Sequence, residues 1–145
     1  MSACIFCDIL SGKLASSIVY QDTACTALLD IQPVNPGHTL VIPNRHMRSL
    51  ADIDEETATH LFHVARRVAA GLRRSPIRCE GVNLSLADGE AAGQEVFHVH
   101  LHVVPRFPGD GFGLRFPATS ASKPHRDELD ALATQIRNVM EVKIE

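Results

Sequence analysis

Short apolar runs broken by turn residues, and one long apolar stripe at helical spacing, organise the chain. Residues 18–22 and 24–30 predict two strands joined at Asp22-Thr23. Gln32-Pro33-Val34-Asn35-Pro36-Gly37 cannot continue a ladder and predicts a turn. His38 to Pro43 then reads as a buried strand, rich in branched apolar residues. Ala58, Leu61, Phe62, Ala65, Val68, Ala69 and Leu72 form a helical stripe. Asp52 is the expected cap, with Glu55 three residues later as in a capping box, and Arg73-Arg74-Ser75-Pro76 ends the helix.

Val82 to Ala87 predicts a partly alternating strand, residues 88–94 a glycine-bearing loop, and His98 to Pro105 another strand. Pro108 to Pro117 carries three glycines and is expected to be a mobile loop. A last helix is expected from about Pro124 to Val142, with Leu129, Leu132, Ile136 and Met140 on one face. Strands in hairpin-like succession with helices between them predict an α+β domain around an antiparallel sheet.

The 145 residues fit a single domain, expected to span 1–145, with an N-terminal Cys-x-x-Cys segment over 1–12 and the C-terminal helix over 122–145. A formal net charge of -3 argues against a nucleic-acid partner. No apolar run reaches the roughly 18 residues of a spanning helix. The first residues show neither a basic lead nor a long apolar stretch, so a cytoplasmic protein without a membrane partner is expected. In that compartment Cys4, Cys7, Cys25 and Cys79 do not predict a disulfide framework. Cys25 and Cys79 read as small core residues. Cys4 and Cys7 have metal-ligand spacing.

The chemistry concentrates in His98-Val99-His100-Leu101-His102-Val103-Val104. Side chains of a strand alternate, so three imidazoles share one face while Val99, Leu101 and Val103 anchor the other. Stacked imidazoles cost desolvation and repel when protonated, so core packing does not explain the face. Metal binding and acid–base or nucleophilic work on an anion both do, and spacing does not separate them. Gly89 and Gly93 in the preceding loop let backbone N–H groups approach a phosphate. His60, His63 and His125 read as surface residues.

The seven-residue histidine segment resembles the motif of the histidine triad (HIT) family of nucleotide hydrolases and transferases. The likeness extends over Leu29-Asp30-Ile31-Gln32-Pro33, Pro36 to Pro43, Ala92-Gly93-Gln94 and Pro105-Arg106, and is strongest to the bacterial branch that opens with Cys-x-x-Cys. It implies a HIT-like fold of about five antiparallel strands with a long central helix and a C-terminal helix, assembled as a homodimer. The C-terminal helix and the Phe107–Phe116 loop are candidates for the subunit contact.

The resemblance also implies attack by His100 on the α-phosphate of a purine nucleotide conjugate, with release of a nucleoside monophosphate. His102 would contact the phosphate and His38 would hold a tautomer. Backbone N–H groups of Gly93, Gln94 and Glu95 would stabilise charge, Asp30 would bind the ribose, and Phe6, Leu28 and Ile31 would wall the base. Structural zinc would be held by Cys4, Cys7, His46 and His98. Relatives carry Asn where this chain has Ala87, and Ser or Thr where it has Glu95. Glu95 is expected to point to solvent, the sharper alternative being a proton donor to the leaving group; the two departures also keep open a nucleotide-binding module with little turnover, against which the intact triad argues.

Overall fold

The structure is a computed structural model that describes residues 4–114 and 123–140. Its elements in order are α1 (Ile5–Leu10), β1 (Ile18–Gln21), β2 (Cys25–Leu29), β3 (Thr39–Pro43), α2 (Glu55–Arg74), β4 (Gly81–Ser85), β5 (Leu101–Arg106) and α3 (Arg126–Met140). The five strands form one antiparallel sheet in the order β1-β2-β3-β5-β4. Residues 1–112 form one compact unit, and 113–145, which contain α3, a second. The end of the glycine loop from residue 115, including Phe116, and the part of the expected last helix beyond Met140 lie outside the described residues.

Cross-strand partners share a face of the sheet, so register separates the two layers. Ala27 pairs with Val41, and Val41 with Leu101. These residues face α2, where Cys25, Val99 and Val103 join Leu61, Val64, Ala65, Val68, Ala69 and Leu72 in the main core. Leu28 pairs with Leu40, Leu40 with His102, and His102 with Ser85, on the opposite face. There Phe6, with Ile9 and Leu10 of α1, covers Leu28, Leu40 and Ile42. Each fully buried aliphatic side chain contributes about 1.5–3 kcal/mol, so these two layers fix which face stays open for chemistry.

Local expectations fail in instructive ways. Asp54, not Asp52, caps α2: its carboxylate accepts the Thr57 N–H at 2.8 Å. The Asp52 carboxylate is turned back to accept the Arg48 and Ser49 N–H groups, closing a short 3-10 turn over Leu50–Asp52. Phe62 is 54% exposed and Ala58 is also exposed, while Val64 takes a core position. The true stripe, 61-64-65-68-69-72, is one turn of phase cleaner than the expected one.

The expected mobility of the glycine loop does not extend to its first residues. Arg106 Nε lies 2.6 Å and Nη2 2.7 Å from the Asp110 carboxylate, and Asn35 Nδ2 donates to both Asp110 and the Pro105 carbonyl at 2.9 Å. A buried amide and a bidentate ion pair hold this turn against β5.

Candidate functional site

The triad segment is only half ladder. Regular pairing begins at Leu101, yet the alternation starts earlier, because the Val99 N–H donates to the Met47 carbonyl at 2.7 Å and the Val99 side chain is sunk in the α2 core. His98, His100 and His102 therefore face away from α2, as the period-two pattern requires. His98 is fully buried and His100 is 9% exposed. The His100 and His102 ring centroids are 5.1 Å apart, and His38 and His102 are separated by the same distance.

Hydrogen-bond polarity assigns the tautomers. His100 Nδ1 lies 2.7 Å from the His98 carbonyl oxygen, which can only accept, so Nδ1 carries a proton and Nε2 is the nitrogen that bears the lone pair in the neutral ring. The Val34 N–H donates to His38 Nδ1 at 3.1 Å, so the His38 proton is on Nε2. That Nε2–H donates to His102 Nδ1 at 2.9 Å, which leaves His102 with Nε2–H as its free donor. The result is a bare nucleophilic nitrogen beside a neutral N–H donor on one face.

Burial pushes His102 down to about 4, with the neighbouring His100 and His38 adding to the effect. Burial also lowers His38, against a smaller raising influence from Asp30, whose Oδ2 is 3.6 Å from His38 Nε2. Both rings are neutral near pH 7. Gly37, at φ 93°, sets up this corner: a Cβ there would meet Leu72 Cδ2 at 2.9 Å, so only glycine lets the chain enter β3 this close to α2.

Among the described residues two sets of side chains have donor atoms mutually close enough for a metal ion: Asp30, His38 and His102, and Cys4, Cys7, His46 and His98. The first is excluded by its hydrogen bonds. His38 Nδ1 must stay bare to accept from Val34, so the Nε2 that faces His102 holds a proton instead of offering a lone pair.

The second set has the opposite polarity. His98 Nε2–H donates to the Pro43 carbonyl at 2.8 Å, which leaves Nδ1 bare, 3.4 Å from Cys4 Sγ and 3.8 Å from Cys7 Sγ. His46 Nδ1 is 3.3 Å from Cys7 Sγ. A tetrahedral zinc ion with Zn–S of about 2.3 Å and Zn–N of about 2.0–2.1 Å demands S···N edges of about 3.6 Å. The four residues fit such an ion, and the His98–Pro43 bond is the kind of outer partner that orients a ligating imidazole.

The loop before the triad is tied down by its own glutamine. Gln94 is 4% exposed; its Oε1 accepts the Gly89 N–H, and its Nε2 donates to the Arg48 and Val96 carbonyls. The Gly93 and Gln94 N–H groups are spent on the Glu90 and Gly89 carbonyls. The expected three-residue phosphate cradle is thereby corrected: only the Glu95 N–H has no acceptor among the described residues.

The Glu95 side chain is exposed, in an open depression of about 310 Å³ shared with Arg48, His46 and Phe97. Ala87 is half-buried. Asp30 follows β2 directly, with its Oδ1 occupied by the Gln32 N–H, while Oδ2 faces the His38–His102 pair. Of the three expected base-wall residues, Ile31 is 88% exposed, whereas Phe6 and Leu28 are buried in the α1 layer.

A wider depression of about 1290 Å³ lies by Asp22, Asp54 and His60, and none of the triad residues lines it. Its His60 corrects another expectation. Rather than free surface, it is a half-buried tie whose Nε2 sits 2.6 Å from Asp22 Oδ2. The parts of the site that residue reading missed are the Val34 N–H and the carbonyls of Pro43 and His98. Backbone groups leave no residue-type signal. Ser85 was missed too; it is exposed beside His102 on β4, and only strand register places it there.

An antiparallel α+β sheet with His98, His100 and His102 on one face is the arrangement that defines the class of this protein. The HIT domain model matches residues 11–109, and the chain belongs to that family. A solved HIT family protein from Bacillus anthracis is 37% identical, with a TM-score of 0.86 over 95% of this chain and 97% of that one. A Zn-bound histidine triad family protein from Mycobacterium smegmatis is 39% identical, with a TM-score of 0.74 over 94% and 97%. A histidine triad nucleotide-binding protein from Candida albicans is 29% identical, with a TM-score of 0.83 over 95% and 97%.

Proposed function

We propose that the chain transfers a nucleotidyl group from a purine nucleotide conjugate to water through a covalent intermediate on His100, releasing a nucleoside monophosphate such as AMP. The observation that carries this reading is the 2.7 Å contact between His100 Nδ1 and the His98 carbonyl, which makes Nε2 the lone-pair nitrogen of the neutral ring. The Nε2 lone pair attacks the α-phosphorus, and the bond to the leaving group breaks with its electron pair going to that group. The ring gains positive charge, which the carbonyl on Nδ1–H stabilises. His102 Nε2–H and the Glu95 N–H donate to phosphoryl oxygens, where preorganised donors act most strongly. Water then attacks phosphorus and gives a proton to the Glu95 carboxylate that the first step left ionised, and the P–N bond breaks with its electrons returning to Nε2.

Asp30 and the exposed Ile31 serve the nucleoside. Exposed Glu95 delivers a proton to the leaving group, a role that comparison of pH–rate profiles with Glu95→Gln tests; unchanged limbs would remove it. Zinc held by Cys4, Cys7, His46 and His98 supplies structural cross-linking. No helix among the described residues is long and apolar enough to cross a membrane, and the protein works in the cytoplasm as a homodimer. A single monomeric species at micromolar concentration in the ultracentrifuge would refute the dimer.

Acid-labile, alkali-stable adduct chemistry tests the central step. Rapid quench of the full chain with a labelled adenylyl phosphoramidate is expected to trap label on His100 and none on His100→Asn. Nucleotide binding without label on the wild type would instead favour a binding module, the reading for which Ala87, with no side-chain donor, speaks.

A further inference from the structure

The turn that leads into β3 is gripped from the far end of β5. Val34, which gives its N–H to His38 Nδ1, and Asn35, whose carbonyl accepts the His38 N–H at 3.0 Å, both belong to that turn. Regular pairing of β3 with β5 ends where Thr39 faces Val103. In an antiparallel ladder a residue offers its N–H and its C=O to the same neighbour, and Pro105, two residues further along β5, has only the C=O. The Asn35 amide takes that carbonyl at 2.9 Å, so a side chain continues the seam that proline interrupts. Asn35 is 6% exposed and donates its other N–H to Asp110 Oδ2, also at 2.9 Å. The Asp110 side chain is 3% exposed, and a buried carboxylate stays charged only when paired. Arg106 pairs it through Nε and Nη2, and reaches on to Asn83 of β4 and the Phe112 carbonyl. That guanidinium holds the Asp110 carboxyl well below the usual carboxylate range.

We propose that Arg106, Asp110 and Asn35 form a clamp that fixes the direction of the His38–His102 relay. This rests on the nucleotidyl-transfer reading above. The clamp holds the turn against β5, the strand that carries His102, and so keeps the Val34 N–H on His38 Nδ1. That one bond puts the His38 proton on Nε2, makes His102 Nδ1 the acceptor, and leaves the His102 Nε2–H to meet a phosphoryl oxygen. When the turn is released, water competes for His38 Nδ1 and the ring is free to take its other tautomer. His38 Nε2 is then bare, His102 turns its proton inward to Nδ1, and its Nε2 presents a lone pair to an anion. The reversed relay repels the group that the forward relay holds. Asn35 and Asp110 act through the main chain and are positioning residues. A misplacement of about 1 Å costs up to roughly 100-fold in rate, so releasing the clamp is expected to lower kcat by about 10- to 100-fold.

The test uses the full chain with uniform ¹⁵N labelling, as wild type and as Asn35→Ala, with metal content matched between them. In the wild type, ¹⁵N–¹⁵N couplings across hydrogen bonds are expected from Val34 to His38 Nδ1 and from His38 Nε2 to His102 Nδ1. In Asn35→Ala the first coupling should vanish, and long-range ¹H–¹⁵N spectra should show His38 as a mixture of tautomers. Turnover of an adenylyl phosphoramidate should fall by the amount above, with KM within about threefold of the wild type. A wild type that lacks the Val34–His38 coupling overturns the proposal. So does a folded Asn35→Ala in which either the His38 tautomer or kcat stays at its wild-type value, because a merely structural role moves the rate without the tautomer. Should Asn35→Ala not fold, Asp110→Asn decides: it keeps the shape, weakens the clamp by removing its charge, and should shift tautomer and kcat the same way to a smaller degree. If the wild type turns over no nucleotide, the transfer reading fails, while the couplings still decide the clamp.

Discussion

Two clusters of imidazoles, built from adjacent parts of one sheet face, have opposite hydrogen-bond polarity. Around His38 and His102 the bonds run in a chain, from the Val34 N–H to His38, from His38 to His102, and outward. Around His98 and His46 the Nδ1 atoms, that of His98 bare, converge on two thiols. The residue types overlap; the direction of each proton does not. A backbone N–H aimed at His38 makes one cluster a proton-donating relay, and a backbone carbonyl aimed at His98 makes the other a ligand set.

Substitutions that remove one member from each cluster break this comparison most sharply. His100→Asn should lower turnover by about 10⁴-fold or more while the chain still folds and binds AMP, as steady-state kinetics and calorimetry would show. Cys7→Ser should leave the relay intact but lose the zinc, removing about 3 kcal/mol of stabilisation by metal linkage. Thermal denaturation would then register a Tm roughly 6–12 °C lower, and an unchanged Tm in a zinc-free variant would refute a structural role. His38→Asn, which strips the relay of its first ring, should cut kcat by about 100-fold with zinc content untouched.

Acid sharpens the same contrast through stability. His102 is held down to about 4 and His38 is also lowered, both mainly by burial, so each stays neutral in the fold at a pH where the unfolded chain binds a proton. Their contribution is complete above about pH 6.5 and is lost as pH falls toward 4, a change on the order of 2 kcal/mol. Urea midpoints measured across that window should decline with acid, and less so in His102→Gln. The smallest effect belongs to His60→Ala, which cuts the tie between α2 and the β1–β2 turn. It should cost about 1 kcal/mol and leave kcat/KM unchanged.

Much of this was readable before the fold was known. The alternation that lines up His98, His100 and His102 held even where regular pairing stops, because the apolar partners Val99, Leu101 and Val103 pack against α2 whatever the ladder does. The Cys4–Cys7 pair and His46 also met His98 as family likeness implied. The readings that failed concern competition between near-equal local choices. Asp52 and Asp54 are both plausible caps, and the Ser49 turn claimed the first. Phe62 and Val64 both fit a helical period, and the phase of α2 against the sheet left Phe62 outside. Gln94 stood in a phosphate-binding loop by pattern, yet its side chain holds that loop to Arg48.

Sequence alone determined the sheet-and-helix class and the imidazole face, because periodicity and residue chemistry are local properties, while the four-residue donor set was what the family likeness implied. Tertiary structure decided which ring nitrogens face donors and which face acceptors, and so which cluster can pass a proton and which one can ligate. The deciding groups are main-chain N–H and C=O at Val34, Pro43 and His98, which every sequence possesses and only a fold can aim.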